Sequence, residues 1–207
     1  MTSKENILKL NQNLDEIYND IKNDSENKEF IKKGWNPLYF VSATSQILII
    51  GQAPGLRAQE NGIAWDDLSG DNLRNWLGVS KDQFYDKTLF GIIPMDFFFP
   101  GKGKSGDLPP RKGFAQKWHP KILSNLVDIK LIILMGNYAL KHYLGKSLEK
   151  NLTLTVKNYH QYLPLYLPLV HPSPRNNIWQ AKNPWFLKEV IPDLRKIVKD
   201  IIKNHII

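Results

Sequence analysis

The sequence predicts an α/β fold of three layers (α/β/α), in which helices cover both faces of a central, mainly parallel four-stranded sheet. Short apolar runs rich in β-branched residues recur along the chain, as is typical of strands buried on both faces. Segments with helical spacing of apolar residues separate these runs, and each run ends in a loop that contains glycine or proline. Strands that alternate with helices favour parallel pairing, because a parallel connection needs a crossover.

Length and composition limit the class of protein. The 207 residues fit a single domain over 1–207. No apolar run approaches the ~20 residues of a membrane-spanning helix. The first residues lack the charged-then-apolar order of a secretory signal, so we expect a cytoplasmic protein that does not contact membranes. The chain has no cysteine, which excludes disulfides and cysteine-held zinc or iron–sulfur clusters.

The remaining titratable residues point to a polyanionic partner rather than to a metal. The five histidines show no metal-ligand spacing, so we expect neither a metal nor another cofactor. Lys and Arg number 28 and Asp and Glu number 20, which gives a formal net charge of +8 at pH 7. A basic surface favours nucleic acid as a partner, although charge alone does not decide this. We expect the protein to be a monomer.

The first half of the chain is predicted to supply two strands. Residues 1–44 are predicted to form a helical and irregular segment that covers the sheet. The loop after the first strand contains Gly51 and Pro54 and ends at Gly55. In order we predict a helix over 4–22, a surface turn over 23–33, the first strand over 47–50, a loop over 56–68, a helix capped by Ser69 and ended by Gly78, a helical turn over 80–86 and the second strand over 88–93.

The second half is predicted to complete the sheet. Pro168 lies inside the fourth predicted strand, and because proline cannot donate to a ladder we expect that strand at an edge or at a bulge. In order we predict a long exit loop over 94–112, a helix over 114–127, the third strand over 130–135, a short helix over 136–145, the fourth strand over 165–170 and a C-terminal helix that Asn183 caps and Pro192 kinks or splits.

Three loops that follow predicted strands are candidates for one functional site. They are residues 51–68, 94–113 and 171–178. Parallel strands place these loops at the same edge of the sheet, where open α/β sheets bind ligands. The loops combine aromatic rings, amides, carboxylates, lysines and His171, which titrates near neutrality. Aromatic rings interleaved with bases and amides suit a nucleobase on a phosphate backbone.

Two motifs give the sequence a family resemblance. Gly51-Gln52-Ala53-Pro54-Gly55 resembles the first motif of the uracil-DNA glycosylase superfamily, and His171-Pro172-Ser173-Pro174 resembles its second motif. Residues 61–73 are similar to the segment that follows the first motif in the iron–sulfur branch, and Leu134–Ala139 is similar to a strand-to-helix turn of the superfamily. The resemblance covers roughly residues 45–200.

The resemblance implies a DNA glycosylase that flips a uracil or a related deaminated base into a pocket and hydrolyses its N-glycosidic bond without a cofactor. It implies that His171 faces the base carbonyl oxygen, that Trp65 stacks on the base, and that Gln52 touches the base or the attacking water. We predict catalytic roles for His171, Gln52 and Asp66, base contacts for Gln52, Ala53, Trp65, Phe97 and Asp96, and DNA contacts for Gly55, Lys102, Lys104, Arg111, Ser173, Pro174, Arg175 and Asn176.

Departures from the family pattern leave alternatives open. The best-studied branch has an Asp at the position of Ala53, where it orients water and stabilises the sugar cation. The iron–sulfur branch has a Glu at the position of Gln52, and its cluster cysteines are absent here. Either another acid, such as Asp66 or Asp96, substitutes for the missing one, or the activity is low or directed at another base. Alternatively, the protein is a catalytically weak or inactive DNA-binding member. A binder of small nucleotides, using the first glycine loop for a phosphate, is a third possibility.

Overall fold

The structure, a computed structural model, describes residues 2–205. Its strands are β1 (Ile47–Ile50), β2 (Phe90–Ile92), β3 (Lys102–Gly103), β4 (Gly106–Asp107), β5 (Leu131–Met135) and β6 (Tyr166–Leu169). The central sheet has the order β2-β1-β5-β6, and all of its neighbours are parallel. The antiparallel pair β3-β4 forms a separate hairpin. The four predicted strands and their parallel pairing are therefore confirmed.

Helices cover both faces of this sheet. They are α1 (Ser3–Asn23), α2 (Lys28–Lys32), α3 (Leu56–Asn61), α4 (Leu68–Leu77), α5 (Lys81–Tyr85), α6 (Phe114–Leu123), α7 (Gly136–Leu144), α8 (Leu152–Lys157), α9 (Asn177–Lys182) and α10 (Ile191–His205), with a π-helical turn over Phe186–Val190 before α10. The three-layer prediction is confirmed. Within residues 2–205 no helix is both long and apolar enough to cross a membrane.

Alternate side chains of the central strands enter two separate cores. Ile47 and Ile49 of β1 pack in the core that contains the apolar faces of α4 and α10. Leu48 and Ile50 pack in the other core, with the apolar faces of α1, α6 and α7. All four side chains are fully buried. Because successive strand residues point to opposite faces, a continuous apolar run is the pattern that a sheet covered on both sides requires.

The N-terminal segment contains more helix than the sequence indicated. Helix α1 begins with a capping box, in which the Thr2 side chain accepts from the Glu5 backbone N–H and the Glu5 carboxylate accepts from the Thr2 N–H. The predicted surface turn over 23–33 is instead a 3₁₀ turn (Ser25–Asn27) followed by α2. Asn27 is buried there and its Nδ2 donates to the Ile21 carbonyl at 2.6 Å, which makes this polar stretch part of the packed structure.

Several predicted boundaries were wrong by a turn or more. The loop predicted over 56–68 contains α3, and α4 is capped by Asp67 rather than by Ser69. Helix α6 ends at Leu123, four residues before the predicted end. The Asn183 side chain donates to the Trp179 carbonyl and does not cap the C-terminal helix, while helices α8 and α9 were not predicted.

The fourth strand, β6, lies at an edge of the sheet as its proline indicated. The Leu165 carbonyl accepts from the Ile132 N–H at 2.7 Å, so the backbone groups of Leu165 face β5. Backbone groups alternate in direction along a strand, and Pro168 therefore turns its nitrogen away from β5. The proline removes no hydrogen bond from the sheet.

Candidate active site

The three loops predicted to meet do line one cleft, at the carboxyl end of the sheet. Its volume is about 720 Å³. Two backbone hydrogen bonds align the loops after β1 and β2: the Met95 N–H donates to the Gly51 carbonyl at 2.9 Å, and the Asp96 N–H donates to the Gln52 carbonyl at 3.1 Å. Residues of the β3-β4 hairpin form a further wall. This volume lies in the range of sites that bind small molecules.

The loop after β1 forms the floor of the cleft. Gly51, Gln52, Ala53, Pro54 and Gly55 all line it. The Gln52 side chain donates from Nε2 to the Leu108 carbonyl at 3.0 Å, which attaches this loop to the end of the hairpin. Since a carbonyl can only accept, this bond fixes the orientation of the amide and leaves its Oε1 as an acceptor for another group.

The indole of Trp65 lies over this floor. A Cβ built on Gly51 would stand 3.3 Å from Trp65 Cζ2, so glycine allows the ring to approach the backbone closely. Trp65 is the one non-glycine residue with positive φ (60°) among residues 2–205. This conformation costs a non-glycine residue roughly 1–2 kcal/mol. The surrounding structure must therefore hold Trp65 in place.

Two side chains and one glycine hold the Trp65 backbone. Arg74 Nη1 donates to the Trp65 carbonyl at 3.1 Å, and the Tyr85 hydroxyl donates to the Ala64 carbonyl at 2.7 Å. A Cβ on Gly70 would meet the Trp65 carbonyl oxygen at 1.7 Å, which no relaxation of a side chain could relieve. Trp65 is thus positioned by α4 and α5, because both Arg74 and Gly70 belong to α4.

His171 lies beside Trp65 in the cleft, with 5.4 Å between the ring centroids. Its Nδ1 accepts from the Ser173 backbone N–H at 3.1 Å, so the proton of the neutral ring lies on Nε2. Burial lowers the pKa of His171 below its ordinary value, and the carboxylates of Asp67 and Asp107 oppose this shift. The arrangement favours a neutral imidazole that presents an N–H donor from Nε2.

The segment that carries His171 is held at both ends. Asn176 Nδ2 donates to the His171 carbonyl at 2.6 Å, and Asn72 Nδ2, from α4, donates to the Pro172 carbonyl at 3.0 Å. The Ser173 hydroxyl accepts from the Arg175 N–H at the start of a 3₁₀ turn. These bonds hold the backbone on either side of the imidazole.

Most of the chain matches the family model described as the Uracil DNA glycosylase superfamily, over residues 38–195. The chain belongs to the uracil-DNA glycosylase superfamily. The matched region contains the loop after β1, the Trp65 segment and the His171 segment. Membership shows a glycosylase-type family and supports DNA as the partner.

Two of the carboxylates predicted for this glycosylase fold lie away from the cleft. Asp96 is fully buried, accepts from the Phe98 N–H and forms a bidentate pair with Arg111, with both contacts at 2.7 Å. Asp66 pairs with Lys81 at 3.1 Å and does not line the cleft. Each of these carboxylates is bound by a nearby cation.

Phe97 and Arg111, for which contacts to base or DNA were predicted, contact other parts of the protein instead. The Phe97 ring is fully buried between Tyr39, at a centroid distance of 4.3 Å, and His119, at 5.8 Å. Arg111 donates to Asp96 and to Asn27 Oδ1. Neither residue lines the cleft. The three consecutive phenylalanines, Phe97 to Phe99, are all buried.

The cleft does contain two carboxylates, from Asp67 and Asp107. Asp67 accepts from the Gly70 N–H at 2.9 Å as the cap of α4. Asp107, in β4, has no side-chain hydrogen bond within residues 2–205. Asp107 was missed from the sequence, although the Gly-Lys-Ser-Gly run before it is typical of a hairpin turn. No group of three or more metal-binding side chains occurs in the described chain.

The basic and polar residues predicted to contact DNA divide into two sets. Lining residues are Gly55, Lys102, Ser173, Arg175 and Asn176. Lys104, at the tip of the hairpin, and Pro174 are exposed but do not line the cleft. The structure therefore gathers basic side chains from the hairpin and from the His171 segment around a single opening.

Proposed function

We propose that this protein is a DNA glycosylase that removes uracil, or a related deaminated base, from DNA by base flipping. The observation that carries the proposal is the pair formed by Trp65 and His171. An aromatic face and a neutral N–H donor converge on one cleft, 5.4 Å apart by ring centroids. A deaminated base offers a flat ring to the first group and carbonyl oxygens to the second.

The proposed chemistry begins with cleavage of the bond between the deoxyribose C1′ and the base nitrogen. The electron pair of that bond leaves with the base, so negative charge grows on a base oxygen while C1′ becomes cationic. His171 Nε2–H donates a hydrogen bond to that oxygen, and removing one such donor from a site typically lowers the rate about 10²–10³-fold. A neutral imidazole suits this role because its proton remains on the enzyme.

The second half of the reaction needs an acceptor for the proton of water. Ala53 supplies only a methyl group where a carboxylate would stand in the best-studied branch. The carboxylates of Asp67 and Asp107 line the same cleft, and both are close enough to His171 to affect its pKa. We assign them jointly to stabilising the sugar cation and orienting water, whose oxygen bonds to C1′ while a carboxylate takes its proton.

Base recognition is assigned to Trp65 and Gln52. The Gln52 Oε1, whose orientation is fixed through Leu108, can accept a ring N–H of the kind that uracil, hypoxanthine and xanthine share. Adenine and cytosine present an acceptor at the corresponding ring nitrogen and would leave Oε1 without a partner. This contrast favours uracil, hypoxanthine and xanthine over adenine and cytosine, the bases from which uracil and hypoxanthine form by deamination.

The first experiment measures abasic sites in single- and double-stranded oligonucleotides that contain uracil, hypoxanthine or xanthine. We expect release of at least one of these bases, and at least a hundredfold lower rate for His171→Ala with an unchanged Tm. His160→Ala is the matched control, since this exposed histidine does not line the cleft. Failure to release any base at stoichiometric enzyme contradicts the proposal.

The two carboxylates are tested by Asp67→Asn, Asp107→Asn and the double variant. We expect the double variant to lose more activity than either single one, because each carboxylate can partly replace the other. A double variant that works at the rate of the unmodified protein would remove both residues from the mechanism.

Ala53 favours a second candidate function, DNA binding without base release. It predicts binding that weakens steeply with salt, as expected when Lys102 and Arg175 neutralise phosphates. The same oligonucleotides would then be bound and recovered intact.

A further inference from the structure

A second cavity adjoins the cleft and has no role in the proposed function. Its volume is about 420 Å³, within the range of sites that bind small molecules. Residues 34–40, which precede β1, form one side, and residues 59–64, at the end of α3, form the other. Leu38 and Ala64 line both the cleft and this second cavity, so they separate the two spaces.

Hydrogen bonds hold both sides of the second cavity in place. Gln59 is buried, its Nε2 donates to the Asn36 carbonyl at 2.9 Å, and its Oε1 accepts from the Phe99 N–H at 2.9 Å. The Phe40 N–H donates to the Ile92 carbonyl of β2 at 3.0 Å. Walls attached in this way are formed before a ligand arrives, so binding does not have to order them.

Two tyrosines in the walls supply hydroxyl groups for a ligand. Tyr39 is buried, and its hydroxyl has no hydrogen-bond partner within residues 2–205. Tyr18 is half-buried, and its ring lies 5.6 Å from that of Tyr39 by centroids. Burial raises the pKa of both hydroxyls, so both stay protonated at neutral pH and can donate. Because a buried hydroxyl without a partner is costly, a ligand that brings a carbonyl oxygen supplies the acceptor that Tyr39 lacks.

The second cavity differs from the cleft in charge. Among the described residues no lysine, arginine or histidine lines it, and its one charged side chain is that of Glu60. The cleft, in contrast, is lined by Lys102 and Arg175. A phosphate in the second cavity would therefore be repelled by Glu60, whereas an N–H group of a ligand would find an acceptor there. Phe40 and Tyr85 add aromatic rings to the walls.

We propose that the second cavity binds a free nucleobase or nucleoside without a phosphate, one that carries both a carbonyl oxygen and a ring N–H. The carbonyl oxygen accepts from the hydroxyls of Tyr18 and Tyr39, the N–H donates to Glu60, and the flat ring packs against the aromatic walls. Hypoxanthine and inosine have this chemistry. The site is separate from the cleft, and its ligand binds whether or not the protein releases a base from DNA.

Equilibrium dialysis with hypoxanthine, adenine, inosine and inosine 5′-monophosphate tests the site. We expect hypoxanthine to bind, and adenine to bind at least about threefold more weakly because it has no carbonyl acceptor. Inosine should bind more tightly than its monophosphate, because Glu60 repels the phosphate, and Glu60→Gln should narrow that difference. Equal affinities of the unmodified protein for inosine and its monophosphate would contradict the assigned class of ligand.

Tyr18→Phe and Tyr39→Phe test the two hydroxyls. We expect each variant to bind hypoxanthine at least about threefold more weakly. Tyr39→Phe should keep or raise the Tm, because the hydroxyl that it removes has no partner in the described chain, so weaker binding would not reflect unfolding. Tyr138→Phe is the matched control, since this exposed tyrosine lines neither space. Unchanged affinity in both Tyr18→Phe and Tyr39→Phe would overturn the inference.

His171→Ala and Gln52→Ala separate the second cavity from the cleft, which a free base can also enter. Both variants should still bind hypoxanthine, and adding Tyr39→Phe should weaken that binding in each of them. Loss of all hypoxanthine binding in the two cleft variants would place the ligand in the cleft alone and overturn the second site. If they bind hypoxanthine while the unmodified protein releases no base from any oligonucleotide, the glycosylase proposal fails and the second site stands.

Discussion

Replacing Asp96 with asparagine separates a structural carboxylate from a catalytic one. Asp96 Oδ1 accepts from the Phe98 N–H at 3.1 Å and from Arg111 Nη2 at 2.7 Å. Oδ2 accepts from the Arg111 backbone N–H at 3.1 Å and from Nε at 2.7 Å. Asparagine keeps the shape of the side chain but replaces one acceptor oxygen with an NH₂ group, which would point its protons at a donor.

The expected loss of stability follows from burial. The Asp96 side chain is fully buried and Arg111 is 25% exposed, so solvent can screen the pair only from one side. Breaking a buried pair by removing one partner typically costs about 3–5 kcal/mol. A domain of this size loses about 2–4 °C in Tm per kcal/mol, so we expect Asp96→Asn to melt about 6–20 °C lower.

The assay combines thermal unfolding with base release measured well below the lowered Tm. We expect Asp96→Asn to retain activity within a few-fold of the unmodified protein, because Asp96 does not line the cleft. Asp66→Asn is the control, since its pair with Lys81 is largely exposed to water and should contribute less than about 1 kcal/mol. An Asp96→Asn variant with unchanged Tm and abolished activity would refute this reasoning and restore Asp96 as a catalytic residue.

Two further predictions concern the Trp65 backbone and acid stability. Arg74→Met removes the charged donor that binds the Trp65 carbonyl, a hydrogen bond worth about 1.5–3 kcal/mol. Base release from single-stranded substrate should therefore be at least tenfold slower. The control is Asp71→Asn, which removes only the exposed partner of Arg74 and should leave the rate of base release within twofold. Burial lowers the pKa of His119 to about 4. Between about pH 6.5 and 4, His119 is therefore protonated in the unfolded chain but neutral in the folded protein. Stability measured by urea unfolding should therefore fall as the pH drops through that window, by at most about 1.4 kcal/mol per pH unit for this group, and His119→Gln should flatten the fall; an unchanged slope would contradict the assignment.

The sheet was predictable because its strands carry a signal that no other element imitates. Four consecutive apolar residues such as Ile47–Ile50 have few alternatives to a strand covered on both sides. Helix ends were harder, because Asp67 and Ser69 are both residue types that cap helices well. In the structure the cap is Asp67, whose carboxylate accepts from the Gly70 N–H. Short helices such as α8 and α9 carry too few apolar residues for a period to be visible.

The site was predictable where loops follow strands and unpredictable where tertiary partners decide. Gln52, Trp65 and His171 line the cleft as expected, because the topology itself brings their loops together. Asp96 also follows a strand, but its partner Arg111 lies fifteen positions later in the chain. No local sequence pattern predicts this ion pair. The hydrogen bond from Arg74 to the Trp65 carbonyl was equally unpredictable, because it depends on how α4 packs against the segment before it.

Pro168 affects how readily the exposed edge of the sheet can pair with a strand of another copy of the protein. The outer side of β6 would ordinarily offer a row of unpaired backbone donors and acceptors, which is a template for another strand. The nitrogen of Pro168 faces that side and has no hydrogen to give. An incoming strand would lose one hydrogen bond and meet the bulk of the ring, so this edge resists edge-to-edge aggregation.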